Sequence, residues 1–76
     1  MGQKIDKRAV FAMRFPHGTI LRLTAPIDDP YTPKDIGDLF VVDYIDEALQ
    51  IHGRWQNGGS MALIIGKDHF EIVTED

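Results

Sequence analysis

From Leu49 to Gln56 the chain alternates without interruption: Leu49, Ile51, Gly53 and Trp55 hold one parity, and Gln50, His52, Arg54 and Gln56 hold the other. A period of two sorts side chains onto the two faces of an extended strand and gives a helix no continuous apolar stripe. The preceding stretch, Phe40 to Ile45, is rich in the β-branched and aromatic types that pleated surfaces accommodate. A helical reading competes over the same region. Thr32 suits a cap, Pro33 a first helical position and Gly53 a C-terminal cap, while Val41, Tyr44, Ile45, Ala48 and His52 fall at helical spacing. That alternative is an α+β chain of ββαββ type with a helix at about 33–52. The eight-residue alternation favours strands.

Register arithmetic extends the strand reading, because a slip of one residue turns a strand inside out. Ala9 to Phe15 and Thr19 to Ala25 form an expected N-terminal hairpin around Pro16, His17 and Gly18, with Met13 opposite Leu21 and Phe11 opposite Leu23. A two-residue loop at Asp46 and Glu47 sets Tyr44 against Leu49 and Val42 against Ile51. A loop of Asn57, Gly58 and Gly59 sets Trp55 opposite Met61, Gly53 opposite Leu63 and Ile51 opposite Ile65. Gly66 and Lys67 then set Leu63 opposite Phe70 and Met61 opposite Ile72.

The implied fold is mostly β, a single small domain spanning 1–76. It is a small barrel or strongly bent antiparallel sheet of SH3-like or OB-like character, with an N-terminal hairpin, a Pro/Asp-rich connecting loop at 26–38, and a four-stranded meander. The expected core is Phe11, Met13, Leu21, Leu23, Phe40, Val42, Tyr44, Leu49, Ile51, Trp55, Met61, Leu63, Ile65, Phe70 and Ile72.

With 76 residues, the chain has little room for a coenzyme-sized cleft. The absence of cysteine removes disulfides, a Cys zinc site and thiol catalysis. No apolar run approaches a membrane span, and no signal-type block follows Met1 to Lys7, so a cytoplasmic setting without membrane association is expected. Phosphate-loop, dinucleotide and metalloprotease patterns are missing, and no cofactor or metal is expected. The registers put His52, Ile64 and His69 side by side on the outward face, but an apolar residue between the two imidazoles is a poor start for a metal site. Asp28, Asp29, Asp35 and Asp38 lack the ligand spacing of a calcium loop and suit turns. Asp43, Asp46 and Glu47 fall at a strand end or turn, where water keeps carboxylates ionised, so paired-carboxylate catalysis is not expected.

Charge is distributed unevenly. Lys4, Lys7, Arg8, Arg14 and Arg22 against Asp6 give residues 1–24 a charge of +4. Residues 25–50 carry seven acids against Lys34, or -6, and the whole chain is at -4. Two binding surfaces follow. The acidic one comprises Asp28, Asp29, Tyr31, Asp35, Asp38, Asp46 and Glu47 and would meet a protein with a basic surface. The basic one comprises Lys4, Arg8, Arg14, Arg22 and the hairpin-tip His17 and would meet phosphates. The second lacks stacking aromatics, and the net negative charge repels a polyanion. The expected function is therefore a non-catalytic protein-binding module or inhibitor acting through the acidic surface. Small acidic chains of this kind include phage- and mobile-element-encoded inhibitors directed at nucleic-acid-handling complexes. The alternative is a small nucleic-acid-binding barrel.

Overall fold

A computed structural model of the chain describes residues 6–74. It consists of a helix, α1 (Lys7–Arg14), followed by five strands: β1 (Ile20–Leu23), β2 (Leu39–Ile45), β3 (Gln50–Trp55), β4 (Ser60–Ile64) and β5 (Phe70–Ile72). The strands form one antiparallel sheet in the order β4-β3-β2-β1-β5. The mostly-β expectation holds, and the sheet is open rather than closed into a barrel. No helix at 33–52 exists, since β2 and the start of β3 occupy that stretch.

The N-terminal hairpin is replaced by α1. Its sequence, KRAVFAMR, is built from good helix formers with Val10 as its one β-branched residue. Asp6 caps it, its Oδ1 accepting from the backbone N–H of Arg8 at 3.1 Å and of Ala9 at 3.3 Å. Pro16, just past the end, cannot continue it. In place of a strand partner, Met13 projects into solvent at 83% exposure, and Phe11 packs at the margin of the core. Phe15 turns inward and meets Phe70 edge-on, with centroids 5.9 Å apart.

Between β2 and β3 the turn is one residue longer than expected. Asp46 closes on Gln50, leaving Glu47, Ala48 and Leu49 as the loop, with Leu49 at φ 64. That is the left-handed third position of a three-residue hairpin. The change alone would invert one strand. A bulge at Asp43, between the Val42↔Gly53 and Tyr44↔His52 pairs, restores the parity. Val42 and Ile51 therefore both remain buried, while Ile45 takes the interior place expected of Tyr44, which stands out from the sheet at 51% exposure.

The β3–β4 register is Ile51↔Leu63 and Gly53↔Met61, displaced by two residues from the expected pairing. An even displacement preserves the faces, so Ile51, Trp55 and Leu63 are buried as anticipated. The last strand differs more. Gly66 and Lys67 do not fold β5 back onto β4; β5 crosses to β1, pairing Leu21↔Ile72 and Leu23↔Phe70. Ile72 is consequently an exposed edge residue. The core is Phe15, Leu21, Leu23, Phe40, Val42, Ile45, Ile51, Trp55 and Leu63, with Phe11, Ile27, Met61, Ile65 and Phe70 packed against it.

The connecting loop is held down by Ile27, which packs against the core, by backbone bonds of Gly37 and Asp38 to Leu23, and by Lys34. Ile27 and Lys34 pair through both backbone groups, and Lys34, only 8% exposed, extends its ammonium to Asn57 Oδ1 at 2.8 Å and to the Gly58 carbonyl at 3.0 Å. The same ammonium lies 5.2 Å from the Trp55 ring centroid. One cation thereby ties the loop to the β3–β4 turn.

Candidate functional site

Beyond Lys34 the loop is organised by its own carboxylates. Asp29 Oδ1 accepts from the N–H of Tyr31 at 2.7 Å and of Thr32 at 3.0 Å. These bonds, that from Thr32 foremost, hold its carboxyl below the ordinary aspartate range, so the group is anionic at neutral pH. Asp38 Oδ2 accepts from the Asp35 N–H at 2.9 Å, closing a second turn at the base of the loop. Of the anticipated acidic residues, Asp28 and Asp29 come together beside β4. There Pro26, Ile27 and Pro30 on one side and Met61, Ala62 and Ile64 on the other enclose a groove of about 440 Å³, with Lys67 and Asp68 at its end. Tyr31 is almost wholly exposed. Asp46 and Glu47 belong to the β2–β3 turn, and Asp35 and Asp38 are absent from the groove lining.

A second cleft, of about 390 Å³, lies on the outer face of the sheet. Tyr44 and His52 stand there as a cross-strand pair, their rings stacked 4.5 Å apart and nearly parallel, beside Arg54 and Ser60. His52 Nε2 is 2.6 Å from Asp46 Oδ2. Asp46 also accepts, at Oδ1, from the N–H of Ala48 and of Gln50, each at 2.9 Å. Its carboxyl lies below the ordinary value of 3.8, chiefly through the Gln50 N–H and next through His52.

A lowered folded-state pKa means that the unfolded chain binds more protons in the window between that value and the ordinary aspartate pKa. The stabilisation from Asp46 is therefore fully present above the ordinary aspartate pKa and is lost as pH falls through the lowered one. Asp46→Asn should flatten the drop in melting temperature between about pH 5 and pH 3. An unaltered acid limb in the variant would contradict this role.

The hairpin expected to carry the basic surface is absent, because α1 takes the place of its first strand. Arg8 and Arg14 lie on α1, and Arg8 Nε donates to the Ile45 carbonyl at 2.9 Å, anchoring the helix to the end of β2. Arg14 lies 5.6 Å from the Phe15 ring centroid. Arg22 Nε pairs with Glu71 Oε1 at 3.0 Å across β1 and β5, and His17 Nδ1 sits 3.1 Å from Asp43 Oδ1. Lys4 lies outside the described residues.

The row of His52, Ile64 and His69 is likewise undone. His52 has Ala62 and Tyr44 as its cross-strand neighbours, and His69 precedes β5 at the far edge. Among the described residues no three metal-ligating side chains gather, and no helix is long and apolar enough to cross a membrane. The sequence reading missed the buried Lys34 and the open edge of β4. Lys34 had one available signal, as the lone base among seven acids.

A family model described as "Domain of unknown function (DUF4314)" matches residues 7–73. No curated protein and no solved structure matches the chain.

Proposed function

We propose, for a chain that belongs to the DUF4314 family, a non-catalytic protein-binding function in which the groove beside β4 receives a basic segment of a partner. The observation that carries this reading is the groove itself. Its lining sets Asp28, Asp29 and Asp68, against Lys67, next to apolar Pro26, Ile27 and Met61, so a Lys or Arg side chain could lay its stem on the apolar wall and its charge beside the acids. The ion pairing of Arg22 and the backbone anchoring of Arg8 favour this face over the basic one. Seating on a basic nucleic-acid site of a larger complex would make the same contact inhibitory.

The test replaces Asp28 and Asp29 by Asn, which removes charge while Asn at position 29 can still accept the turn hydrogen bonds. Binding of a short amidated Lys-rich peptide should weaken at least about tenfold and lose most of its salt dependence, since surface charges are screened within about 8 to 10 Å. Arg14→Gln with Arg22→Gln should leave peptide binding unchanged. If single-stranded RNA or DNA binds instead and only the arginine variant loses it, the domain is a nucleic-acid binder and the proposal fails.

A further inference from the structure

The β3–β4 ladder leaves part of the sheet edge open. Trp55 N–H donates to the Gly59 carbonyl, and the register continues through Gly53↔Met61 and Ile51↔Leu63. In an antiparallel ladder, alternate residues turn both backbone groups toward one neighbour. The N–H and C=O of Ser60, Ala62 and Ile64 accordingly point away from β3, toward the side where the sheet has no further strand among the described residues. Ile64 is closed off by its own turn. Its N–H donates to Asp68 Oδ2 at 2.8 Å, and its carbonyl accepts from the Lys67 and Asp68 N–H groups. Ser60 and Ala62 have no such partner among the described residues.

Edges are commonly guarded by charge, proline or a bulge. Ser60 and Ala62 are small and uncharged, so their own side chains set neither charge nor proline against an approaching backbone, and the loop from Pro26 to Pro30 stands off across the groove. The other edge differs, because its equivalent positions are the bulky Phe70 and Ile72, and Phe15 packs on Phe70. Both clefts also reach this edge, for Met61 and Ala62 line each of them.

We propose that β4 is an acceptor edge, to which an extended basic segment of a protein partner adds as a sixth strand, hydrogen-bonded to Ser60 and Ala62. Alternate side chains of the added strand face opposite ways. One set meets Asp28 and Asp29 in the groove, and the other meets the Tyr44–His52 stack in the outer cleft. The partner motif is then Lys or Arg at every second position with apolar or flat side chains between. A second copy of this chain is a poor occupant, since two-fold pairing of β4 would bring two acidic loops together in a chain of charge -4.

This inference rests on the acidic-groove reading, and its test separates the two. The probe is a short amidated peptide alternating Lys and Val, with a Glu-for-Lys control and an N-methylated version that cannot donate backbone hydrogen bonds. Saturation should slow amide exchange at Ser60 and Ala62 at least about tenfold, with the already paired Met61 and Leu63 little changed. Ala62→Pro should melt near wild type, because that N–H makes no ladder bond, yet lose binding at least about tenfold. The N-methylated peptide should fail on the wild-type protein, a readout independent of any variant's folding. Salt-sensitive binding that survives Ala62→Pro and N-methylation would overturn strand addition and leave the acidic groove standing. Equal binding of the Lys and Glu peptides would overturn both.

Discussion

Trp55→Ala is expected to cost about 3 to 5 kcal/mol, close to the entire stability of about 5 kcal/mol that a domain this small can hold. Trp55 is 3% exposed, meets Phe40 edge-on at 5.0 Å between centroids, and forms the surface over which the Lys34 ammonium sits. Truncation empties that volume and removes the ring from beneath a cation whose remaining partners are Asn57 and Gly58. Denaturant titration should show a folded baseline lost or nearly lost at 25 °C. Trp55→Phe gives the complementary measurement. The indole Nε1 is buried without a hydrogen-bond partner among the described residues, and an unpaired buried donor costs about 1 to 3 kcal/mol. Phe deletes that donor while keeping much of the ring, so its net cost should be far below that of Ala. Equal losses for the two variants would show that the ring's volume is not what Trp55 contributes.

Gly53→Ala is expected to destabilise by about 1 to 3 kcal/mol or more, although alanine is the better residue for an ordinary strand interior by about 0.5 to 1 kcal/mol. Steric overlap decides the sign. A Cβ at this position would overlap the Val41 carbonyl oxygen and stand 2.7 Å from Cε2 and 2.8 Å from Cζ of Phe40. The carbonyl belongs to the central strand β2, and the Phe40 ring is fully buried, so neither neighbour can yield without disturbing the core. Thermal melting decides between the two effects, and a variant as stable as wild type would mean that β2 and Phe40 can move aside.

Some of this was open to reading because it depends on neighbours in the chain. The parity of Ile51 and Trp55, the buried Phe40 and Val42, and the turns after Ile45 and Trp55 are written in alternation and turn chemistry. The helix was legible too, through the cap at Asp6 and the alanines and long side chains that follow. Residues 9–15 read as a strand only because a matching apolar face could be drawn for them, and local propensity outweighed that match.

The candidate site was less legible. Asp28 and Asp29 declare themselves as turn-forming acids, but nothing near them in the chain tells that β4 will lie alongside. Asp46 has the same composition signal, and its carboxylate is committed to its own turn and to His52.

Alternation and turn residues determined by themselves that this chain forms mostly strands, and which parity of Leu49 to Gln56 faces inward, since a two-residue period is a local property. Tertiary structure alone decided the rest. The bulge at Asp43 reversed the faces of Tyr44 and Ile45, and beyond the turn in which the Asp68 carboxylate accepts from the Ile64 N–H, β5 crossed to β1. That crossing left Ser60 and Ala62 at an open edge beside Asp28 and Asp29. Which strand pairs with β1 depends on contacts some 50 residues apart in the chain, and at that separation no periodicity in either segment specifies the partner.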